Sequence, residues 1–274
     1  MNPIKITDNV VIGNGRLVLL GGPCMAESRE TCLETAAFLK ELCAKLDIGY
    51  VFKASFDNAN RSSGTSKRGP GMEKGLEFLA EVKAKYNVPV VTDVHETIEA
   101  EPVAQVADIL QIPAFLCRQT DLLQACGKTG KVINIKKGQF MAPEDMAGAV
   151  EKVKLTGNNN VMLCERGTSF GYHNLVVDMR SLVTMRSLGV PVVFDATHSV
   201  QLPGGLGNAS GGQREFVYPL ARAAAAIGID ALFCEIHPNP EKAFSDGPNS
   251  LNFEQAAAVL EKVKLIHDLS RTIQ

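Results

Sequence analysis

Lys53, Arg61, Lys136 and Arg166 each stand at or shortly beyond the end of a short apolar run. If one fold gathers them, four cations share a pocket and repel one another until anions neutralise them. That pattern implies a polyanionic ligand, most simply one with two phosphate groups. A second set, Cys24, His198, Glu235 and Asp246, offers a thiolate, an imidazole and two carboxylates. Such a mixture suits a borderline divalent ion such as Zn²⁺, Fe²⁺ or Mn²⁺. The spacing of these four carries no metal signature by itself; only a fold that brings separate strand ends together makes them a site. No organic cofactor is expected, because the first strand runs into Gly21-Gly22-Pro23-Cys24 rather than the GxGxxG of a dinucleotide cradle.

The elements that must position these residues alternate regularly. Strand candidates are Leu17–Leu20, Tyr50–Lys53, Val88–Thr92, Ile109–Ile112, Val132–Ile135, Val161–Cys164, Val192–Phe194 and Leu232–Cys234. Short continuous Val/Ile/Leu runs suit strands covered on both faces. Helical stretches fall at about 29–46, 71–86, 97–107, 119–128, 143–155, 178–188, 211–227 and 253–270. Eight such alternations in 274 residues predict an α/β fold, a single (β/α)8 TIM barrel over 1–274, with no linker dividing it. Within residues 1–14, Ile4–Ile6, Asp8-Asn9 and Val10–Ile12 read as an N-terminal β-hairpin that closes the bottom of the barrel.

Active sites of such barrels lie at the C-terminal ends of the strands, and every strand delivers a polar group there. The first gives Cys24; the second Lys53, then Ser55, Asp57, Asn60, Arg61 and Ser62; the third Asp93 and His95. The fourth gives Gln111 and Arg118, the fifth Lys136, Lys137 and Gln139, and the sixth Glu165 and Arg166. The last two give Asp195 and His198, then Glu235, His237 and Asp246.

Composition narrows the function classes. A hydrophobic fraction of 45% and a charged fraction of 21% are those of a globular protein. A net charge of −2 gives no general attraction to nucleic acid or an anionic membrane. The seven cysteines are odd in number and lack a CxxC pair, which points to a reducing compartment. The N-terminus lacks the apolar stretch of a signal peptide, and no run reaches the ~18–20 apolar residues of a membrane span, so a cytoplasmic location is expected.

Some residues read more plainly. Cys234 lies on a strand and belongs to the core; His95, His173 and His237 are hydrogen-bonding loop residues; His267, in the last helix, is a surface residue. Lys137 points either into the mouth or away from it, since adjacent strand residues face opposite sides. Gln201–Gln213, polar and Gly-rich, reads as a mobile loop over the mouth.

Longer segments carry a resemblance. They are Phe52-Lys-Ala-Ser-Phe-Asp57, Ala59-Asn-Arg-Ser-Ser63, Thr92-Asp-Val-His-Glu96, Gln111-Ile-Pro-Ala-Phe115, Arg118-Gln-Thr-Asp121, Asn134-Ile-Lys-Lys137, Glu165-Arg-Gly-Thr-Ser-Phe-Gly-Tyr172, Asn174-Leu-Val-Val-Asp178, Phe194-Asp-Ala-Thr-His-Ser-Val200 and Ser210-Gly-Gly212. Together, from about residue 17 to 265, the chain resembles the 3-deoxy-D-manno-octulosonate-8-phosphate synthases. The resemblance implies a homotetrameric barrel that condenses phosphoenolpyruvate with D-arabinose 5-phosphate, releasing phosphate, for lipopolysaccharide inner-core synthesis. Carried over, it implies Lys136 and Arg166 on the phosphoenolpyruvate phosphate, with Lys53 and Ser55 near its carboxylate. It places Asn60, Arg61 and Ser62 on the pentose and its phosphate, helped by Arg118 from a neighbouring subunit, with Asp93 and Gln139 also in the substrate site. Metal-dependent members carry Cys in the first loop and metal-independent ones Asn. Cys24 therefore implies metal dependence, with His198, Glu235 and Asp246 completing the ligands, and Glu235 or Asp246 also managing protons.

The chain departs from the family at Asn58, where a Lys is common; either Lys67 or Arg68 compensates, or substrate affinity is lower. Two other readings fit the same mouth. One is the related 3-deoxy-D-arabino-heptulosonate-7-phosphate synthase, which uses erythrose 4-phosphate; the other is a catalytically silent sugar-phosphate-binding barrel. The Ala-Asn-Arg-Ser-Ser segment weighs against the first, and the intact ligand set against the second.

Overall fold

The computed structural model describes residues 2–61, 63–204 and 211–273. Eight parallel strands close into a barrel: Val18–Gly22 (β1), Gly49–Lys53 (β2), Val90–Asp93 (β3), Ile109–Ile112 (β4), Val132–Lys136 (β5), Val161–Glu165 (β6), Val192–Asp195 (β7) and Ala231–Glu235 (β8). Their order around the barrel is that of the sequence, and β8 closes against β1. The outer ring consists of Arg29–Lys45 (α1), Met72–Tyr86 (α2), Ala100–Ala104 (α3), Thr120–Lys128 (α4), Met146–Lys154 (α5), Arg180–Ser187 (α6), Val217–Ile227 (α7) and Phe253–Thr272 (α8). No helix among the described residues is long and apolar enough to cross a membrane.

Alternation along each strand sorts its side chains between two environments. One face of the strands, with Leu19, Phe52, Leu110, Ile133, Leu163, Phe194 and Leu232, packs with helix residues such as Leu39, Leu79, Leu123 and Val153. The opposite face puts Val18, Leu20, Val51, Val91, Ile109, Val132, Met162, Val193 and Phe233 into a separate interior cluster. Ile4, Val10 and Ile12 join that cluster, and Ile4–Lys5 pairs antiparallel with Val11–Ile12, so the expected hairpin packs its apolar side into the barrel. Toward the C-terminal ends the same alternation brings up Lys53, Gln111, Asn134, Lys136, Asp195 and Glu235, all buried, and the half-buried Asp93.

Several boundaries differ from the sequence reading. The stretch at 97–107 becomes a 3-10 turn, Thr97–Glu99, closed by reciprocal side-chain caps from Glu96 and Glu99, followed by the short α3. The helix expected from 211 begins at Val217, because Gly211–Gly212 pairs with Gln201–Leu202 and Arg214–Phe216 forms a 3-10 turn first. Much of the expected loop at 201–213 lies outside the described residues; its two ends are this paired ribbon. A second ribbon, Thr168–Ser169 with Leu175–Val176, was not foreseen. His267 is 1% exposed rather than a surface residue, because α8 turns that position inward with Val263 and Ser270. Lys137 is also fully buried; it lies outside the mouth, donating to Thr168 Oγ1 (3.0 Å), with Glu165 at 3.5 Å.

Candidate active site at the barrel mouth

A cavity of about 310 Å³ opens at the C-terminal ends of the strands. Cys24, Lys53, Ser55, Asn60, Arg61, Asp93, Lys136, Gln139, Arg166, His198, Glu235 and Asp246 all line it. Ser62 lies outside the described residues. Arg118 is exposed and does not line this cavity; its backbone carbonyl accepts from Lys152 Nζ at 2.8 Å.

Two cations come with carboxylates of their own, which corrects the expectation that only incoming anions would neutralise the cluster. Lys53 Nζ lies 3.3 Å from Glu235 Oε1 and donates to Cys24 O at 2.8 Å. Its reach is set by a close approach of β1 to β2, where a Cβ on Gly22 would stand 2.1 Å from the Lys53 carbonyl oxygen. Lys136 Nζ lies 2.7 Å from Asp195 Oδ2. Burial is the largest influence on both ammonium charges and works against them. The surrounding negative groups, led by Glu235 for Lys53 and by Asp195 for Lys136, together outweigh it and raise both pKa values. The Phe233 ring lies beneath them, its centroid 4.1 Å from Lys136 Nζ. Asp93 opposes burial in the same way. Lys53 and Lys136 hold its carboxyl below the ordinary value, and it accepts hydrogen bonds from Ser55 Oγ and from Gln111 Nε2 (2.8 Å).

Arg61 and Arg166 differ: neither has a carboxylate ion-pair partner among the described residues. Arg166 is 4% exposed, donates through Nη2 to Gln201 Oε1 at 3.1 Å, and leaves Nη1 buried without a partner. Arg61 donates to Ser245 Oγ (2.5 Å) and Phe244 O (3.3 Å), with Nε unpaired. A buried guanidinium donor without an acceptor costs free energy until an anion fills the place. These two positions are where the cavity most needs negative charge.

The metal expectation holds in part. Cys24, Glu235 and Asp246 present ligand atoms within 4.8 Å of one another and form a group able to hold a metal ion. Glu235 Oε2 is buried without a hydrogen-bond partner, an orphaned acceptor in keeping with a cation. Burial, then the charges of Glu235 and Asp246, push the Cys24 thiol well above its ordinary pKa. Asp246 takes a left-handed backbone (φ 52), which Asp tolerates better than most residues. His198 is not one of the three; it stands alongside, with Nδ1 2.7 Å from Asp195 and Nε2 3.3 Å from Glu235 Oε1.

Other residues emerge only from the structure. Gln201 and Ser245 both line the cavity and bond to Asp246, and no sequence pattern marks either. Asn58 Nδ2 donates to Ser245 Oγ at 2.8 Å and lies 3.9 Å from Cys24 Sγ. Neither expected substitute for a Lys at 58 supplies the mouth: Arg68 pairs with Asp57, and Lys67 stacks 3.7 Å over the Phe244 ring. His95 lines the cavity, but its Nδ1 is buried without a hydrogen-bond partner. His173 and His237 bond as loop residues, to Pro203 O (2.6 Å) and to Glu27 Oε1 (2.5 Å).

A closed barrel that turns buried cations and a sulfur-and-oxygen donor group on one small mouth belongs among the barrel enzymes acting on anionic small molecules. Residues 1–270 match the DAHP synthetase I family, and the chain belongs to it. It is 58% identical over 261 residues to a 2-dehydro-3-deoxyphosphooctonate aldolase of Fusobacterium nucleatum, covering 95% of this chain and 94% of that one. A protein of the same name from a Cyanothece species is 58% identical over 267 residues, covering 97% and 98%. Another from Stenotrophomonas maltophilia is 60% identical over 245 residues, covering 89% of each.

Proposed function

We propose that the protein condenses phosphoenolpyruvate with D-arabinose 5-phosphate and water. The products are 3-deoxy-D-manno-octulosonate 8-phosphate, for the lipopolysaccharide inner core, and inorganic phosphate. The observation that carries this reading is the meeting, in one cavity, of two guanidiniums that lack carboxylate partners with the Cys24, Glu235 and Asp246 donor group. The family description alone would equally suit the heptulosonate 7-phosphate synthase; the names of the relatives favour the octulosonate product.

Lys136 and Arg166 hold the phosphoenolpyruvate phosphate, and Lys53 and Ser55 stand near its carboxylate. Asn60, Arg61 and Ser62 hold the pentose and its phosphate, with Asp93 and Gln139 completing the substrate walls and Arg118 reaching in across a homotetramer interface. Cys24, Glu235 and Asp246, with His198 beside them, would hold a divalent ion, which would supply positive charge to polarise the aldehyde. C3 of phosphoenolpyruvate attacks the aldehyde carbon, water adds at C2, and the adduct expels phosphate by C–O cleavage. Holding both reactants in line contributes much of the rate. Glu235 or Asp246 manages the protons. The protein works in the cytoplasm.

A phosphate-release assay with each aldose tests this. Turnover with arabinose 5-phosphate and little with erythrose 4-phosphate is expected; the reverse preference, or none at all, would overturn the assignment. Chelation should abolish turnover and a divalent ion restore it. Cys24→Asn should weaken metal binding while leaving measurable activity under chelator.

A further inference from the structure

We propose that Gln201 is a positioning residue that couples anion binding at Arg166 to cation binding at Cys24, Glu235 and Asp246. The inference rests on reading those three residues as a metal site. Gln201 joins the two places through a single amide: its Oε1 accepts from Arg166 Nη2 at 3.1 Å and its Nε2 donates to Asp246 Oδ1 at 2.7 Å. A guanidinium can only donate and a carboxylate can only accept, so this orientation of the amide is forced.

Both ends of the bridge are sensitive positions. Arg166 has a second, buried Nη1 with no partner, so an anion arriving there finds a guanidinium already anchored through its other nitrogen. At Asp246, Oδ2 receives the Cys24 thiol (3.2 Å) and the Ser245 hydroxyl (3.0 Å), whereas Oδ1 is held by Gln201. The amide is itself fixed. Gln201 pairs in register with Gly212, and a Cβ at Gly212 would meet Asn249 Oδ1 at 2.6 Å, three residues beyond Asp246. The backbone of Gln201 and the segment carrying Asp246 are therefore packed together. An anion that draws Arg166 toward the cavity shifts the pull on Gln201, and through it the direction of Asp246 Oδ1. Linkage makes the effect reciprocal.

Co²⁺ and inorganic phosphate are suitable probes, because thiolate-to-cobalt charge-transfer absorption reports the Cys24 site directly. Titrating Co²⁺ into the wild-type protein with and without saturating phosphate should give dissociation constants differing about tenfold, within the usual range for coupled sites. Gln201→Met keeps the length of the side chain and removes both hydrogen bonds. It should still show the charge-transfer band, proof of a folded site, and still bind phosphate, but the ratio should fall to about twofold, the residue of direct attraction through space. A wild-type ratio near one, or a Gln201→Met ratio equal to that of wild type, would overturn the coupling while leaving the metal site standing. A wild-type protein without the band would overturn both.

Discussion

Val51 and Lys53 sit two positions apart on the same face of β2, about 7 Å from each other at ordinary strand rise, yet they belong to different molecules in all but name. Val51 rests in the dry cluster with Ile12, Val91 and Phe233; Lys53 sits against Glu235 at the mouth. The same change repeats from Val91 to Asp93, Ile109 to Gln111, Val132 to Asn134 and Val193 to Asp195. The lower end gains stability from every methylene it hides. The upper end buries ions whose desolvation offsets most of their mutual attraction, so those residues are better explained by what they bind than by what they stabilise. One backbone pattern serves both because strand alternation fixes only which way a side chain points, not what it is.

Substitution at the two ends should separate these roles. The largest effect belongs to Lys136→Ala, which removes a group proposed to touch phosphoenolpyruvate and leaves Asp195 buried without its ammonium partner. Turnover should fall on the order of 10²–10³-fold and stability by roughly 3–5 kcal/mol, measured by steady-state kinetics and denaturant unfolding. A variant with near-native kcat would mean that the mouth does not work through this lysine. At the closed end, Ile12→Ala should cost roughly 2–5 kcal/mol while kcat/KM for the folded enzyme stays within about twofold of wild type; a large kinetic defect would show that the two ends are not separable. Arg61→Ala should raise KM for arabinose 5-phosphate about tenfold to a hundredfold, the equivalent of ~1.5–3 kcal/mol for a charge-assisted bond. KM for phosphoenolpyruvate should barely move, and equal effects on both would remove Arg61 from the aldose.

The smallest effect concerns a buried ionisable group away from either end. Burial lowers the pKa of His267 below 6.5. The unfolded chain therefore binds the proton more readily, and the stability His267 contributes is present above about pH 6.5 and lost as the pH falls through the lower folded value. Thermal unfolding between about pH 8 and pH 5 should show that loss, and His267→Gln should flatten it by under about 1 kcal/mol. An unchanged slope would assign the acid sensitivity elsewhere.

The barrel was legible in the sequence because its strands are covered on both faces and so read as unbroken apolar runs. The mouth was legible for a related reason: a barrel rule turns strand ends such as Lys53, Asp93 and Lys136 into neighbours without any contact being known. The donor group of Cys24, Glu235 and Asp246 was legible only through the barrel rule and the resemblance, since one strand-end residue and two loop residues from distant parts of the chain leave no spacing to read. The roles of Gln201 and Ser245 were not legible because they rest on hydrogen bonds to Asp246 that only the folded chain reveals. His267 was misread because Leu265 and Leu269, its helix neighbours two positions away on either side, are the exposed ones; polarity suggested the opposite. The helix expected from residue 211 failed for a local reason, since Gly211–Gly212 is better used opposite Gln201–Leu202 than in a helical turn.

The hairpin at the base has a consequence for traffic. With Ile4, Val10 and Ile12 packed against a filled interior, nothing the size of a phosphate passes through the barrel. Among the described residues the cavity is closed toward the base, so whatever enters by the mouth leaves by it. Lys136 and Arg166 lie deep in it, 7% and 4% exposed, while Arg61 stands nearer the rim. On the proposed assignment, phosphoenolpyruvate would settle on the deep pair before arabinose 5-phosphate occupies the rim.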